Sequence, residues 1–387
     1  MKYLKKFETH QEYAAFLESE AMVKPNVSYL SDSGKLYYHP DIPMSSFIIN
    51  QNLTDPAAMI SGDINGIGIQ LIRQNSHRYL GKYTSDGVMT ICQLDDNDSR
   101  LYSDGSPADL TGAEGDVFVR LPRFAYKAIK KESDIWEISF YYGDAPDDSW
   151  KQWEGNELIG AYKAYVEDGL MYSKSGVVPT LNMSYNDFKK SATDRGNGYT
   201  LIRWRHHCIM AFLFYATYGT TDAASILGSG PYGSAWPTGG RDSQGMRDVT
   251  GAPTNNRTHF WGLEGWIGQS GELMHDAYVY SSTSLQIKES PTRYVSKASG
   301  DGNIAKIAIG ANLDMVPTKY DGTNAYKGYG SFRDDYYLSR AGQTNSGSMS
   351  ALTAGSTGTS SSSSIGSRLA FKGSIVESTN VADFKAL

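Results

Sequence analysis

Between residues 56 and 145 the chain runs through short stretches of alternating apolar and polar positions. They are IGIQLI at 67–72, GVMTICQL at 87–94, DVFVRLPRFAYKAI at 116–129 and DIWEISFYY at 134–142. A period of two predicts strands buried on one face. Ser85-Asp86-Gly87 and Ser103-Asp104-Gly105 supply turn chemistry between the runs. The polar stretch 143–157 predicts a loop, and IGAYKAYVEDGLMYSKSG at 159–176 predicts two strands around Glu167-Asp168-Gly169. Helical signals come next. Ser184, with Asp187 three positions on, opens a helix that closes near Arg195 and Gly196. RWRHHCIMAFLFYATYG at 203–219 is apolar on most faces, which predicts a helix buried against a sheet and capped by Gly219.

At the N-terminal end, Thr9-His10-Gln11-Glu12 is a capping-box pattern for a short helix through Glu18. Residues 24–40 read as a hairpin around Ser31-Asp32-Ser33-Gly34. From Gly228 to Gly271 the chain is dense in Gly, Pro and Asn, with Trp236, Trp261 and Trp266 interleaved. Aromatic anchors in such loops predict order rather than floppiness. Residues 341–364 are mostly Ser, Thr, Gly and Ala, and Ser360–Ser364 run directly into IGSRLAF, the last predicted core strand. The pattern as a whole predicts a β-rich α+β chain in three parts. They are an N-terminal helix and hairpin attachment unit at 1–50, a β-rich domain at 51–158, and a further domain at 159–387.

Composition narrows the function. Gly at 40 and Tyr at 27 are both high, only 20% of residues are charged, and the formal charge is -6. With no basic stripe to neutralise phosphates, nucleic acid is excluded as a main partner. Cys92 and Cys208 do not form a disulfide framework. The N-terminus has no apolar signal region, and no run of 18 apolar residues exists, so the expectation is a chain made and folded in a cytoplasm, without membrane insertion.

Candidate chemistry is sparse. Adjacent His206 and His207 point about 100° apart on a helix and do not form a metal-binding pair, so a structural role is expected. Asp95, Asp96 and Asp98 start like a calcium loop but lack its glycine and closing glutamate, which leaves a solvated turn. Glu264 and Asp276 are expected to orient loops through hydrogen bonds. No GxSxG occurs, neither cysteine has a nucleophile context, and GIGIQL at 66–71 lacks the third glycine of a dinucleotide loop. No catalytic residue, metal ligand or cofactor is predicted. The stretch YDGTNAYKGYGSFRDDYYLSRAG at 320–342 differs, because Tyr among Ser, Gly and Asn is the composition of recognition loops. Here, and just beyond, the candidate receptor-binding residues are Tyr326, Tyr329, Phe332, Arg333, Asp335, Tyr336, Tyr337, Thr344 and Asn345.

GDVFVRLPRFAYKAIKK, IGAYKAYVEDGLMYSKSGVVPTLN, ATDRGNGYTLIRWRHHCIMAFLFYATYGTTDAASILGSG and YGSFRDDYYLSRAG, closed by IGSRLAFKG, occur in that order. This set, over residues 115–375, resembles phage tail-fibre and receptor-binding proteins with a C-type-lectin-like terminal domain. Their relatives include the variable proteins of diversity-generating retroelements. The resemblance implies that 159–387 is such a domain, with the helix at 203–219 packed on a small β core. It also implies that IGSRLAF is a closing strand preceded by ligand-facing residues at about 326–364. Formylglycine-generating enzymes share that fold, but they need late reactive cysteines, and none follows Cys208. The sugar-binding triplets of calcium-dependent lectins are absent too. By resemblance, the chain is a virion tail protein assembled in a host cytoplasm, a homotrimer that contacts other tail proteins and a host-surface protein or glycan receptor. The alternatives are a glycan-degrading tail depolymerase and a purely architectural virion protein.

Overall fold

The computed structural model describes residues 43–387 apart from 85–86, 229, 231–235, 252–256, 269, 289–290, 323–324, 328, 332–335, 341–353 and 358–362. It describes the backbone alone at 28–30, 36–38, 331, 336 and 354–357. The chain is β-rich with few helices.

The apolar helix forms over Trp204–Tyr218, buries thirteen of its fifteen residues, and ends on Gly219 in the left-handed conformation (φ 63°). It packs against strands Met44–Asn50 and Gly271–Ser281 and against the helix Ile67–Gln74. That last helix corrects the strand expected at 67–72. Alternation over six residues (Ile67, Ile69, Leu71) competes with an i, i+3 spacing (Ile69, Ile72), and the chain takes the second. Ile69 and Ile72 are buried while Ile67 is exposed. Gly68 permits the packing, since a Cβ there would lie 2.7 Å from the Met44 carbonyl carbon.

Three larger sheets surround the helix. The first has five strands in the order Lys151–Trp153, Phe124–Glu132, Ile135–Tyr142, Met44–Asn50 and Ile60–Gly62. Its first strand lies inside the predicted loop 143–157. The second has seven strands, in the order Tyr199–Leu201, Leu369–Lys372, Glu157–Gly160, Asp116–Arg120, His77–Tyr83, Val88–Gln93 and Ser374–Ser378. The third runs from Arg293–Ser296 through Ser284–Ile287, Gly271–Ser281, Tyr336–Arg340, Ala354–Thr357, Tyr329–Ser331 and Asp301–Ile309 to Met315–Tyr320. It curls until its two edges meet, where Ala298 N–H donates to the Pro317 carbonyl at 2.8 Å and Arg293 pairs with Asp314.

The boundaries drawn at 50/51 and 158/159 need correcting. Met44–Asn50 pairs along its whole length with Ile135–Tyr142 and is part of the main body. The second boundary falls inside Glu157–Gly160, which pairs with Asp116–Arg120 on one side and Leu369–Lys372 on the other. One apolar cluster extends from Phe47 to Phe384, and a second joins residues from Tyr79 to Phe371. Other expectations agree with the structure. Ser184 caps the helix Tyr185–Thr193, and Tyr165–Glu167 pairs with Leu170–Tyr172 across a turn with φ 51° at Asp168 and 77° at Gly169. Positive φ at both turn positions is the geometry that Asp-Gly favours. Ser28–Leu30 pairs with Leu36–Tyr38 as a hairpin, and the helix expected at 9–18 lies outside the described residues.

Because the core is shared, residues 159–387 expressed alone are expected not to fold. Their amide resonances in a 1H–15N spectrum should collapse into the narrow range of unfolded chain. A dispersed spectrum with cooperative thermal unfolding would refute the shared core.

Candidate recognition surface

The third sheet carries a row of aromatic side chains that the sequence alternation generates directly. Along Gly271–Ser281, Ala277 and Val279 point into the core, while Tyr278 is half-buried and Tyr280 exposed. Along the next strand, Leu285 and Ile287 are buried and Gln286 is half-buried. The register sets Tyr337 opposite Tyr278, Tyr278 opposite Gln286, and Gln286 opposite Tyr294. Four adjacent strands therefore each place one side chain in a single row: Tyr337, Tyr278, Gln286, Tyr294.

The rings support one another. Tyr337 stacks on Tyr185 of the helix Tyr185–Thr193, with centroids 3.4 Å apart and planes 9° from parallel. The Tyr278 ring meets Tyr337 edge-on at 5.3 Å, and Tyr280 meets Tyr294 edge-on at 5.2 Å. Gln286 donates its amide N–H to the Tyr294 hydroxyl at 2.8 Å. The Lys288 ammonium lies 4.5 Å from the Tyr278 ring centre and 5.2 Å from that of Tyr337. Tyr280 and Tyr294 are 56% and 58% exposed, so their rings are open to a partner.

Of the residues expected to bind a receptor, Tyr337 stands in this row. Tyr329 lies in the neighbouring strand Tyr329–Ser331, half-buried and hydrogen-bonded to Asp301. Tyr326 is corrected: it is 0% exposed, and its hydroxyl donates to Gln51 Oε1 at 3.0 Å, so it belongs to the core. Tyrosine composition alone does not separate a wall from a face. Tyr336 contributes backbone to the strand Tyr336–Arg340, and its side chain lies outside the described residues, as do Phe332, Arg333, Asp335, Thr344 and Asn345. Tyr185, Tyr278, Tyr280, Lys288 and Tyr294 escaped sequence reasoning. The signal that locates them is the period-two run Ala277-Tyr278-Val279-Tyr280.

At the other end of the same two strands lies a buried ionic cluster. Glu272 sits directly opposite Arg340 in the antiparallel pair. Its carboxylate accepts from Arg340 Nε at 2.8 Å, from Arg368 Nε at 2.9 Å and from Lys163 Nζ at 2.9 Å, and all four side chains are fully buried. Burial alone raises a carboxyl pKa. Here the Arg340 and Arg368 guanidiniums and the Lys163 ammonium outweigh it and hold Glu272 well below the carboxylate range. Lys163 is lowered to about 8 by burial, against the pull of Glu272. Arg368 also donates to the carbonyls of Gly160 at 2.8 Å and Glu264 at 2.9 Å.

His206 and His207 are structural, as expected, and buried His259 and half-buried His275 are fixed within the fold as well. Glu157 accepts from His206 Nε2 at 2.6 Å, and His206 Nδ1 accepts from the Arg203 N–H at 3.3 Å, which makes His206 a neutral donor. His207 Nδ1 faces Arg340 Nη1 at 3.3 Å, and His259 Nε2 faces Arg78 Nη2 at 3.3 Å while its Nδ1–H donates to the Arg247 carbonyl. Burial, followed by these guanidiniums, lowers both pKa values far below 6.5, and burial followed by Arg203 brings His275 to about 4. Glu264 accepts from the Gly239 and Arg241 N–H groups, and Asp276 from that of Trp204, so both hold backbone in place. Asp95 closes a turn by accepting from the N–H groups of Asn97 and Asp98. Cys92 and Cys208 are buried free thiols. Among the described residues, no group of three His, Cys, Asp or Glu side chains is placed to hold a metal ion.

A polar surface cleft lined by Arg100, Asp109, Thr111, Glu114, Asp242 and Lys385 is the other concavity of interest. Its carboxylates Asp242 and Glu114 already have partners. Asp242 accepts from Tyr162, Ser175 and Arg78, and Glu114 from Tyr102, the Asp109 N–H and Lys385. No protein family of known signature matches this chain, and no characterised protein matches it.

Two outcomes follow for stability. Glu272→Gln leaves three buried cations without their carboxylate and is expected to cost about 3–5 kcal/mol in urea unfolding; a loss below about 1 kcal/mol would show that the cluster is not a keystone. The second concerns pH. His207, His259 and His275 are neutral in the folded chain and take up protons on unfolding below their ordinary value of 6.5. Their lowered folded pKa values mean that stability is fully present above pH 6.5 and is lost as pH falls. Each contributes a loss of up to roughly 2 kcal/mol by pH 5. The urea midpoint should therefore drop steadily from pH 7.5 to 5, and a flat profile would contradict this.

Proposed function

We propose that this chain is a receptor-recognition protein of a phage tail, binding a host-surface receptor without covalent chemistry. The observation that carries the proposal is the row of tyrosines on a hydrogen-bonded sheet, with Tyr294 in the row and Tyr280 beside it both more than half exposed. Tyrosine supplies amphipathic contact area with little side-chain entropy to lose, and strands that are already ordered lower the cost of binding further. The resemblance to tail-fibre proteins points the same way. A long buried helix lies against β structure, the strand Leu369–Lys372 sits within a sheet, and an ordered loop region is built on Trp261 and Trp266. These features support a C-type-lectin-like arrangement whose sheet includes strands from before residue 159. In this reading the segment before Met44 attaches the chain to other tail proteins, and the particle carries it as a homotrimer.

A depolymerase reading finds less support, since the cleft carboxylates Glu114 and Asp242 are committed to partners within the protein. The test is competition. Purified chain added to host bacteria before the phage should bind the cells and reduce plaque counts in proportion to its concentration. Absence of both effects would favour an architectural virion protein. Shortened surface polysaccharide after incubation would replace the proposal with a depolymerase.

A further inference from the structure

We infer that the tyrosine row is a glycan site, and that its ligand is an acidic polysaccharide bearing a carboxylate at Lys288; this rests on the recognition reading above. The shape of the surface comes first. Adjacent strands lie about 4.8 Å apart, so Tyr337, Tyr278, Gln286 and Tyr294 span about 14 Å across the sheet. That row is narrow and long, on the outer side of the curled sheet, and it suits a short run of pyranose rings laid across the strands. Pyranoses present apolar C–H faces and equatorial hydroxyls, and tyrosine offers a ring face beside a hydroxyl.

The chemistry of the surrounding positions separates a glycan from a protein partner. Stable protein interfaces bury about 1,600 Å² around an apolar core. The exposed aliphatic side chains of the described residues are Leu53, Ile67, Val178, Val376 and Leu387, and none lies on these strands. Around Tyr280 and Tyr294 the exposed positions include Ser282, Thr283, Lys288, Pro291, Thr292 and Ser296, four hydroxyls, one ammonium and one proline. A partner that matches such a face brings its own hydroxyls.

Charge narrows the ligand further. The strands Gly271–Ser281, Ser284–Ile287, Arg293–Ser296 and Tyr336–Arg340 contain two carboxylates, Glu272 and Asp276, and both are buried. Lys288 is exposed, and its ammonium rests on the faces of Tyr278 and Tyr337. Cation–π contact holds that charge in place over the row. A chain of net charge -6 thus presents a cation beside its aromatic row, and among the described residues of the four strands no carboxylate is exposed. A sugar carboxylate complements it.

The experiment uses the full chain on an array of acidic and neutral bacterial surface polysaccharides, together with intact cells treated separately with periodate and with protease. Binding is expected on acidic polysaccharides, and on cells it should survive protease and vanish after periodate. Reducing the carboxylates of the best-bound polymer to alcohols should weaken binding about tenfold and flatten its salt dependence. Lys288→Gln should reproduce both effects while leaving binding of the reduced polymer unchanged. Tyr280→Ser and Tyr294→Ser alter exposed side chains and leave the core intact; each should cost roughly tenfold. Cell binding that protease removes and periodate spares would overturn the glycan inference while leaving receptor recognition standing. Equal binding to the acidic polymer and its reduced form would overturn the role of Lys288. A chain that binds neither polysaccharide nor cells defeats both readings.

Discussion

The buried carboxylate of Glu272 is the constraint that ties the third sheet to the rest of the fold. Removing a carboxylate from water costs several kcal/mol, and that cost is met only when cations and donors converge on it with good geometry. Lys163, Arg340 and Arg368 do so from three different segments of the chain. Arg340 ends the strand that bears Tyr337, and Glu272 stands near the start of the strand that bears Tyr278 and Tyr280. Arg368 immediately precedes Leu369–Lys372 of the seven-stranded sheet, and Lys163 follows Glu157–Gly160 of the same sheet. One carboxylate therefore ties the curled sheet to its neighbour. A shift of either strand by one residue at this end would strand a charge in the core, so the Glu272–Arg340 register is enforced electrostatically; a register irregularity between Leu273 and Tyr278 separates it from the register of the tyrosine row.

The aromatic face is held by supports of its own. Tyr185 is buried on a capped helix, and its hydroxyl donates to the His275 carbonyl at 2.8 Å, so the partner on which Tyr337 stacks is itself fixed. Behind the row, Ala277, Val279, Leu285 and Ile287 fill the core. A surface backed in this way binds without first ordering itself, which is how a modest contact area yields useful affinity.

What the amino-acid pattern disclosed was local. The helices at Ser184 and Trp204, the Asp168-Gly169 hairpin and most of the strands follow from periodicity, caps and turn residues a few positions apart. What stayed hidden was non-local or degenerate. Glu157–Gly160 finds partners in Asp116–Arg120 and in Leu369–Lys372, more than two hundred residues on, and no composition shift marks such a pairing. Residues 67–72 satisfy strand and helix spacing equally, and only packing on Met44–Asn50 decides between them. Glu272, Arg340 and Arg368 read as ordinary solvated charges until the topology brings them together. Tyr326 and Tyr337 are eleven positions apart in one tyrosine-rich stretch, yet one hydrogen-bonds to Gln51 in the core and the other joins the outer row.

The small-residue segment before Ile365 looks like a linker by composition, yet it contributes a strand. Ala354–Thr357 pairs antiparallel with Tyr336–Arg340 and parallel with Tyr329–Ser331, in the interior of the third sheet. Main-chain hydrogen bonds hold it there, and these do not read side chains. Ile365 and Gly366 then pair with Gly271 and Glu272 at the ionic cluster, so the chain is pinned again directly after the serines. A segment held by backbone pairing on one side and by a buried charge cluster on the other places few demands on the residues between. Five consecutive serines ahead of a core strand are thus compatible with a folded domain, because their neighbours carry the specificity of the fold.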